Sequence, residues 1–204
     1  MNGIENIIFD FGGVIIDIDP QRTVNAFRGL GVQNIEQLYS ECYQSNLFDE
    51  LEKGSITDAE FRDRIRNISN LPLTDVQIDF AWNEILIGIP KEKIDFLKRI
   101  KKDYRLFLLS NTNEIHEVAY TQLILDKFNE NIFKTVFEEA YFSHRLKMLK
   151  PDSEIFRYVL DKNDIEAERT LFIDDTLRHI EGAKKVGLKT FYFEKGKTFE
   201  DILK

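Results

Sequence analysis

The sequence predicts an α/β protein, a parallel sheet flanked by helices, with a small helical domain inserted after the first strand. Three observations carry this expectation. The short continuous apolar runs Ile7–Phe9, Leu106–Leu109 and Leu171–Ile173 have the length and composition of strands buried on both faces. Helical periodicity separates the later runs and follows the last, as right-handed crossovers between parallel strands require. Between the first run and the second, about 65 residues read as helices without a strand, too much chain for one crossover. The expected division is therefore residues 1–16 and 88–204 for the α/β core and 17–87 for the helical insertion.

Taken in order, residues 4–10 form the first strand. Val24, Phe27 and Leu30 then share a helical face that ends near Gly29 and Gly31, and Ile35, Leu38, Tyr39 and Cys42 share another. Leu47, Phe48 and Leu51 make a short helical turn before Gly54. Thr57, with Glu60 three residues later, has the capping-box pattern for a helix carrying Phe61 and Ile65. Asn70-Leu71-Pro72 interrupts the chain, and Thr74 opens a helix containing Phe80, Ala81 and Trp82 through Ile87. Pro90 begins a helix to about Lys102, followed by a strand at 104–109 and a helix from about Asn113 to Phe128. The segment Val136–Phe142 serves as a further strand. Pro151 sits in the first turn of a helix that runs to about Asp161. A strand at 170–174, a helix at about 177–186 closed by Gly187, a last strand Thr190–Phe193 and a short C-terminal helix complete a Rossmann-like sheet.

Composition narrows the function. The 204 residues carry a formal net charge of −8, scattered along the chain, and no long stripe of Lys and Arg, which disfavours a nucleic-acid partner. The densest basic run, Lys98-Arg99-Ile100-Lys101-Lys102, lies late in a helix, where cations suit the helix dipole. The single cysteine, Cys42, cannot form an internal disulfide and reads as a small core residue. No apolar run approaches membrane-spanning length and no charged-then-apolar leader opens the chain, so a soluble cytoplasmic protein is expected.

Each of the three buried strands ends in small polar or acidic groups. Asp10 precedes Gly12 and Gly13, Leu109 runs into Ser110-Asn111-Thr112, and Ile173 runs into Asp174-Asp175. Ligands of open parallel sheets bind outside the carboxyl ends of the strands, so these groups are expected to form one site. Taken singly, Asp174-Asp175 and Ser110-Asn111 could each cap a following helix, and Lys150-Pro151 could be a helix start, with Lys147 as a rival lysine.

The set resembles the haloacid dehalogenase-like hydrolases over nearly the whole chain. Four blocks match in order: Asp10-Phe11-Gly12-Gly13-Val14, Ser110-Asn111-Thr112, Lys150-Pro151 and Phe172-Ile173-Asp174-Asp175, trailed by Ile180-Glu181-Gly182-Ala183 and Gly187. The resemblance implies a phosphatase of small phosphorylated metabolites, similar to the capped glucose-1-phosphate phosphatases, with the insertion as cap. It implies Asp10 as nucleophile and Mg²⁺ ligand, the Gly12 carbonyl and Asp175 as further ligands, and Asp174 beside them or acting through water. Ser110, the neighbouring amide of Asn111, and Lys150 would hold the transferring phosphoryl group. A carboxylate attacking phosphorus needs a divalent cation and fixed donors, because two anions must meet.

One departure matters. Most phosphatases of this family carry an acid–base Asp two residues after the nucleophile, and here that position is Gly12, which has no side chain. The expectation is a phosphatase of esters whose leaving oxygen needs little protonation, such as anomeric sugar phosphates. The alternatives are an inactive binding protein and a metal-independent 2-haloacid dehalogenase. Asp17, Asp19 and His116 are candidates for the missing acid. Tyr43, Phe48, Glu52 and Trp82 of the insertion could reach the leaving group, with Gly54 in a loop facing the site.

Overall fold

The structure, a computed structural model, describes residues 3–203, excepting the side chains of Glu36, Gln37 and Tyr43. The expectation for the Tyr43 side chain thus lies outside the described residues. Strand β1 (Asn6–Phe9) leads through a tight turn to the two-residue strand β2 (Asp17–Ile18). Five helices follow: α1 (Pro20–Gly29), α2 (Ile35–Gln44), α3 (Leu47–Glu52), α4 (Asp58–Ser69) and α5 (Asp75–Asn83). The chain then returns through β3 (Leu86–Gly88), α6 (Lys91–Ile100), β4 (Arg105–Ser110), α7 (Glu114–Phe128), the short α8 (Ile132–Thr135) and β5 (Glu139–Phe142). It ends with α9 (Ser143–Leu146), α10 (Ser153–Asn163), β6 (Thr170–Asp174), α11 (Leu177–Lys185), β7 (Lys189–Tyr192) and a 3₁₀ turn at Phe199–Leu203.

The main sheet has the order β5-β4-β1-β6-β7, and every pairing is parallel. Central β1 is flanked by β4 and β6, and the chain builds outward from it in both directions. That reversal creates the crevice at the carboxyl ends where the three polar strand termini meet. The side chains alternate as a pleat demands. Ile7, Phe9, Leu106, Leu108, Leu171 and Ile173 enter the core under α6, α7 and the C-terminal turn, while Ile8, Phe107, Leu109 and Phe172 enter the core under α10 and α11. Both faces are covered, which explains why the strands read as unbroken apolar runs. Each such fully buried side chain contributes about 1.5–3 kcal/mol, so the sheet is a rigid platform.

Helices α1–α5 bury a core of their own, including Phe27, Leu38, Cys42, Leu51, Phe61 and Ile78, into which Ile115 of α7 also packs. The expected capping box of Thr57 and Glu60 is present, and Thr74 forms a second with Gln77. Cys42 is fully buried, as its apolar face requires. Lys98 and Arg99 of the basic run pair with Glu130 and Glu200. Among the described residues no helix is long and apolar enough to cross a membrane.

The structure corrects four boundaries. The segment after the first strand is not free of strands: Asp17–Ile18 pairs antiparallel with Leu86–Gly88, so the helix from Thr74 stops at Asn83 rather than reaching Ile87. Strands of two and three residues leave no alternation to read. The strand expected at Val136–Phe142 is shortened to Glu139–Phe142 by the end of α8. Pro151 lies before, not within, the first turn of α10, whose N-cap is Asp152; the Lys150–Pro151 peptide is cis. The last strand is one residue earlier than expected, at Lys189–Tyr192.

Candidate active site

The register of the sheet places the site. Phe9 pairs with Leu108 on one side and Ile173 on the other, so Asp10 and Asp174 emerge level at the carboxyl edge, with Ser110 one residue further along β4. The Asp10 amide continues the ladder by donating to Ile173 O at 2.9 Å. Lys150 reaches this edge from the loop before α10. Its Nζ, fully buried, donates to Asp10 Oδ1 and to Asp174 Oδ2, each at 2.7 Å, and lies 5.5 Å from the Phe172 ring centroid. Lys147, the rival, is exposed and donates to Gly54 O instead. Lys150, not Lys147, thus reaches the strand-end carboxyl groups.

The loop carrying Lys150 is held by a second predicted residue. Asn111 Nδ2 donates to Lys150 O and Lys150 N donates to Asn111 Oδ1, both at 3.0 Å. The Asn111 side chain therefore fixes the lysine, while its amide remains free of that duty. Gly182 of α11 packs where a Cβ would overlap Pro151 O, so the helix supports the same turn from behind. Ser110 is 2 % exposed, and among the described residues its hydroxyl makes only a long 3.4 Å hydrogen bond to Asn111 O. Neither Ser110 nor Asn111 caps α7; Asn113 does, accepting from His116 N.

The two carboxylates after β6 divide the work. Asp174, fully buried, accepts from Thr176 N through Oδ1 at 2.8 Å and from His179 Nδ1 through Oδ2 at 3.0 Å, besides Lys150. Burial alone would raise its pKa, but Lys150 and His179 bring it below the usual carboxylate value. Asp175 is half-buried and is pushed up by burial and by Asp174. Asp10 is pushed up to about 8 by burial, with Asp174 and Asp175 adding to the rise and Lys150 opposing it. One lysine does not neutralise three neighbouring carboxyl groups, two of them buried.

A divalent cation fits that excess. Asp10, Asp174 and Asp175 each offer a carboxylate oxygen, all within 4.8 Å of one another, the hard oxygen donors such an ion takes. Gly13, at φ +75°, leaves the space that a Cβ would take from Asp175 Oδ2, so the carboxylate closes against the β1 turn. Asp175 also lies on the wall of a cleft of about 840 Å³ that it shares with Gly13, Asp17, Lys93 and Lys195, open to solvent. Gly12 belongs to the same turn, which is pinned by Ile15 N and Ile16 N donating to Phe11 O.

The remaining candidates are committed elsewhere. Asp17 accepts from Lys93 Nζ at 2.7 Å, and Asp19 caps α1 through Gln21 N at 2.9 Å. His116 Nδ1 donates to Asn83 Oδ1, and its ring stacks on Trp82 with centroids 5.1 Å apart. Phe48 stacks on Trp82 too, with centroids 5.2 Å apart, so these aromatics pack against each other. Sequence reasoning missed His179 and Ser143. His179 lies on the buried face of α11 with Ile180 and Ala183, a periodicity that could have found it. The Ser143 hydroxyl accepts from Thr112 N and donates to Glu52 O at 2.6 Å, a contact of 91 residues' separation that leaves no local signal.

Comparison with known proteins accords with this geometry. Residues 4–187 match the family model of the haloacid dehalogenase-like hydrolases. A D-ribitol-5-phosphate phosphatase of Bacteroides thetaiotaomicron is 32 % identical over 195 residues, covering 95 % of this chain and 93 % of that protein. A crystal structure of a HAD family enzyme from the same organism superposes with a TM-score of 0.93 at 36 % identity, covering 100 % of both chains. A complex of a HAD family enzyme from that organism with magnesium and inorganic phosphate gives a TM-score of 0.87 at 36 % identity, over 98 % of this chain and 100 % of that one.

Proposed function

The chain belongs to the haloacid dehalogenase-like hydrolases, and from that premise we propose that it is a Mg²⁺-dependent phosphatase of a small phosphorylated polyol or sugar. The observation that carries the reading is the buried group of Asp10, Asp174 and Asp175 held against Lys150. The relative that acts on D-ribitol 5-phosphate and the relative complexed with magnesium and phosphate support the substrate class and the ion.

In this reading Asp10 and Asp175 hold Mg²⁺ directly with the Gly12 carbonyl, and Asp174, already engaged by Lys150, His179 and Thr176, holds it through water. When bound, Mg²⁺ supplies the positive charge that lets a carboxylate and a phosphate approach and lowers the Asp10 pKa. Asp10 then attacks phosphorus as a carboxylate, forming an aspartyl-phosphate that water cleaves, so one difficult displacement becomes two easier ones. Lys150 is placed to take the charge of the equatorial oxygens, with the Ser110 hydroxyl and the Asn111 amide as further donors. Asp174 keeps Lys150 charged, since its attraction and that of Asp10 outweigh the cost of burying the ammonium. The three carboxylates and their need for a cation speak against the metal-independent dehalogenase alternative.

The test is phosphate release from D-ribitol 5-phosphate, glucose 1-phosphate and p-nitrophenyl phosphate, with Mg²⁺ and with a chelator. Release that requires Mg²⁺ and is lost in Asp10→Asn is expected. Release that persists in the chelator, or none from any ester, would overturn the reading.

A further inference from the structure

With Gly12 bearing no side chain and Asp17, Asp19 and His116 all engaged by other groups, the site described so far has no acid for the leaving oxygen. We propose that Glu52, at the C-terminal end of α3, is the acid–base group of the reaction, protonating the leaving oxygen and then taking a proton from the attacking water. The inference rests on the phosphatase reading.

Its basis is the way the insertion is latched to the core. Glu52 O accepts from Ser143 Oγ at 2.6 Å, and Ser143 also receives Thr112 N at 2.9 Å, which ties Glu52 to the loop of Ser110. Two residues on, Gly54 O accepts from Lys147 Nζ. Gly54 has φ +64°, and a Cβ there would overlap His144 O and Lys147 Nζ, so the turn after Glu52 lies flat on the core with no room for a side chain. These contacts fix the main chain of Glu52 over the carboxyl edge of the sheet.

The charged groups acting on the Glu52 carboxyl agree with that placement. Lys150, the clamp of Asp10, and Arg178, in the first turn of α11, attract it from the core, and Asp49 repels it from its own helix. The main-chain latch holds Glu52 beside the strand-end loops, and Lys150 is within electrostatic reach of its carboxyl. Burial, with Asp49, pushes its pKa up to about 7 against the pull of the two cations. That is the range in which one carboxyl can both give and take a proton at neutral pH.

The two steps balance. An Asp10 oxygen bonds to phosphorus, the ester P–O bond breaks toward the alcohol oxygen, and that oxygen takes the Glu52 proton. Water oxygen then bonds to phosphorus, its proton passes to the Glu52 carboxylate, and the P–O bond to Asp10 breaks. The enzyme is restored and the products are alcohol and inorganic phosphate. A group of this kind also removes the restriction to anomeric phosphates that Gly12 alone would impose.

The experiment follows alcohol release in single turnovers of the Mg²⁺ enzyme, with D-ribitol 5-phosphate, whose alkoxide needs a proton, and p-nitrophenyl phosphate, whose phenolate does not. Glu52→Gln is expected to slow alcohol release from the alkyl ester about 100-fold or more while slowing the nitrophenol burst less than about fivefold. Steady-state nitrophenol release should fall well below the burst, because the second step then lacks its base. Glu52→Asp should keep part of the alkyl rate. At Gly12 a Cβ would make an ordinary contact with Ile18 Cδ1, at 3.7 Å, so the turn has room to start a side chain, and Gly12→Asp added to Glu52→Gln should recover about tenfold or more. Equal losses on both esters in a folded Glu52→Gln protein, no loss, or no recovery in the double variant would overturn the role of Glu52 alone. A wild-type protein inactive on both esters would overturn the phosphatase reading and this inference with it.

Discussion

Lys150 Nζ lies 2.7 Å from Asp10 Oδ1 in a position sealed from solvent, so the proposed nucleophile and the lysine proposed to bind the phosphoryl group are hydrogen-bonded before any substrate arrives. Removing the charge leaves the buried Asp174 carboxylate without the lysine that helps keep it ionised. Lys150→Met, of similar length, should therefore cost about 3–5 kcal/mol in urea unfolding, the penalty for breaking a buried pair. Its phosphate release should fall by about 10³-fold or more. Lys150→Arg should not rescue it, since a larger planar guanidinium would have to enter the fully buried position between Asp10 and Asp174.

Asp10 is held at a cost to the fold. Its pKa in the metal-free protein, about 8, lies above its unfolded value of 3.8, so the folded state binds the extra proton between these limits. Stability from this group thus falls as pH rises from about 4 to about 8. Asp10→Asn should be inactive and, without metal, more stable than wild type at pH 7 by about 1–3 kcal/mol, with the difference fading toward pH 4. Urea midpoints of both proteins across that range check the sign.

Mg²⁺ should act on the same balance. An ion that binds only the folded state raises stability by RT ln(1 + [L]/Kd), so a concentration of about 100 Kd adds about 2.7 kcal/mol. The melting temperature of wild type should rise with Mg²⁺, and that of Asp175→Asn should hardly move. Equal rises in both would remove Asp175 from the ligands.

His116 gives a prediction of the opposite sign to Asp10. Burial against Trp82 pushes its pKa down to about 3 from an ordinary 6.5. Between these values the unfolded state binds the proton, so stability present at neutral pH is lost as pH falls from about 6.5 toward 3. His116→Phe keeps a ring on Trp82 and should lose less stability than wild type between pH 7 and pH 5, read from urea midpoints.

The core and the strand-end site were legible because their signals are local. Ile7–Phe9, Leu106–Leu109 and Leu171–Ile173 are apolar on both faces, and Asp10, Ser110 and Asp174 follow them directly. The order β4-β1-β6 then brings those three residues together. What was not legible depends on distant partners. Asp17–Ile18 becomes a strand only because Leu86–Gly88 lies beside it. Asn111 clamps Lys150 across 39 residues, and Ser143 grips Glu52 across 91. Asp174-Asp175 shows that the bland and the functional readings coexist, since Asp174 Oδ1 does accept from Thr176 N at the head of α11 while Oδ2 holds Lys150.

The central claim is that Asp10 carries the phosphoryl group. The most direct measurement is to quench the Mg²⁺ enzyme in acid during turnover of D-ribitol 5-phosphate, reduce with borohydride, and sequence the peptide around residue 10 by mass spectrometry. Reduction of an aspartyl-phosphate leaves homoserine, so homoserine at position 10, absent without substrate, is the predicted result. Phosphate release that proceeds with Asp10 unmodified, or homoserine at another aspartate, would contradict the account.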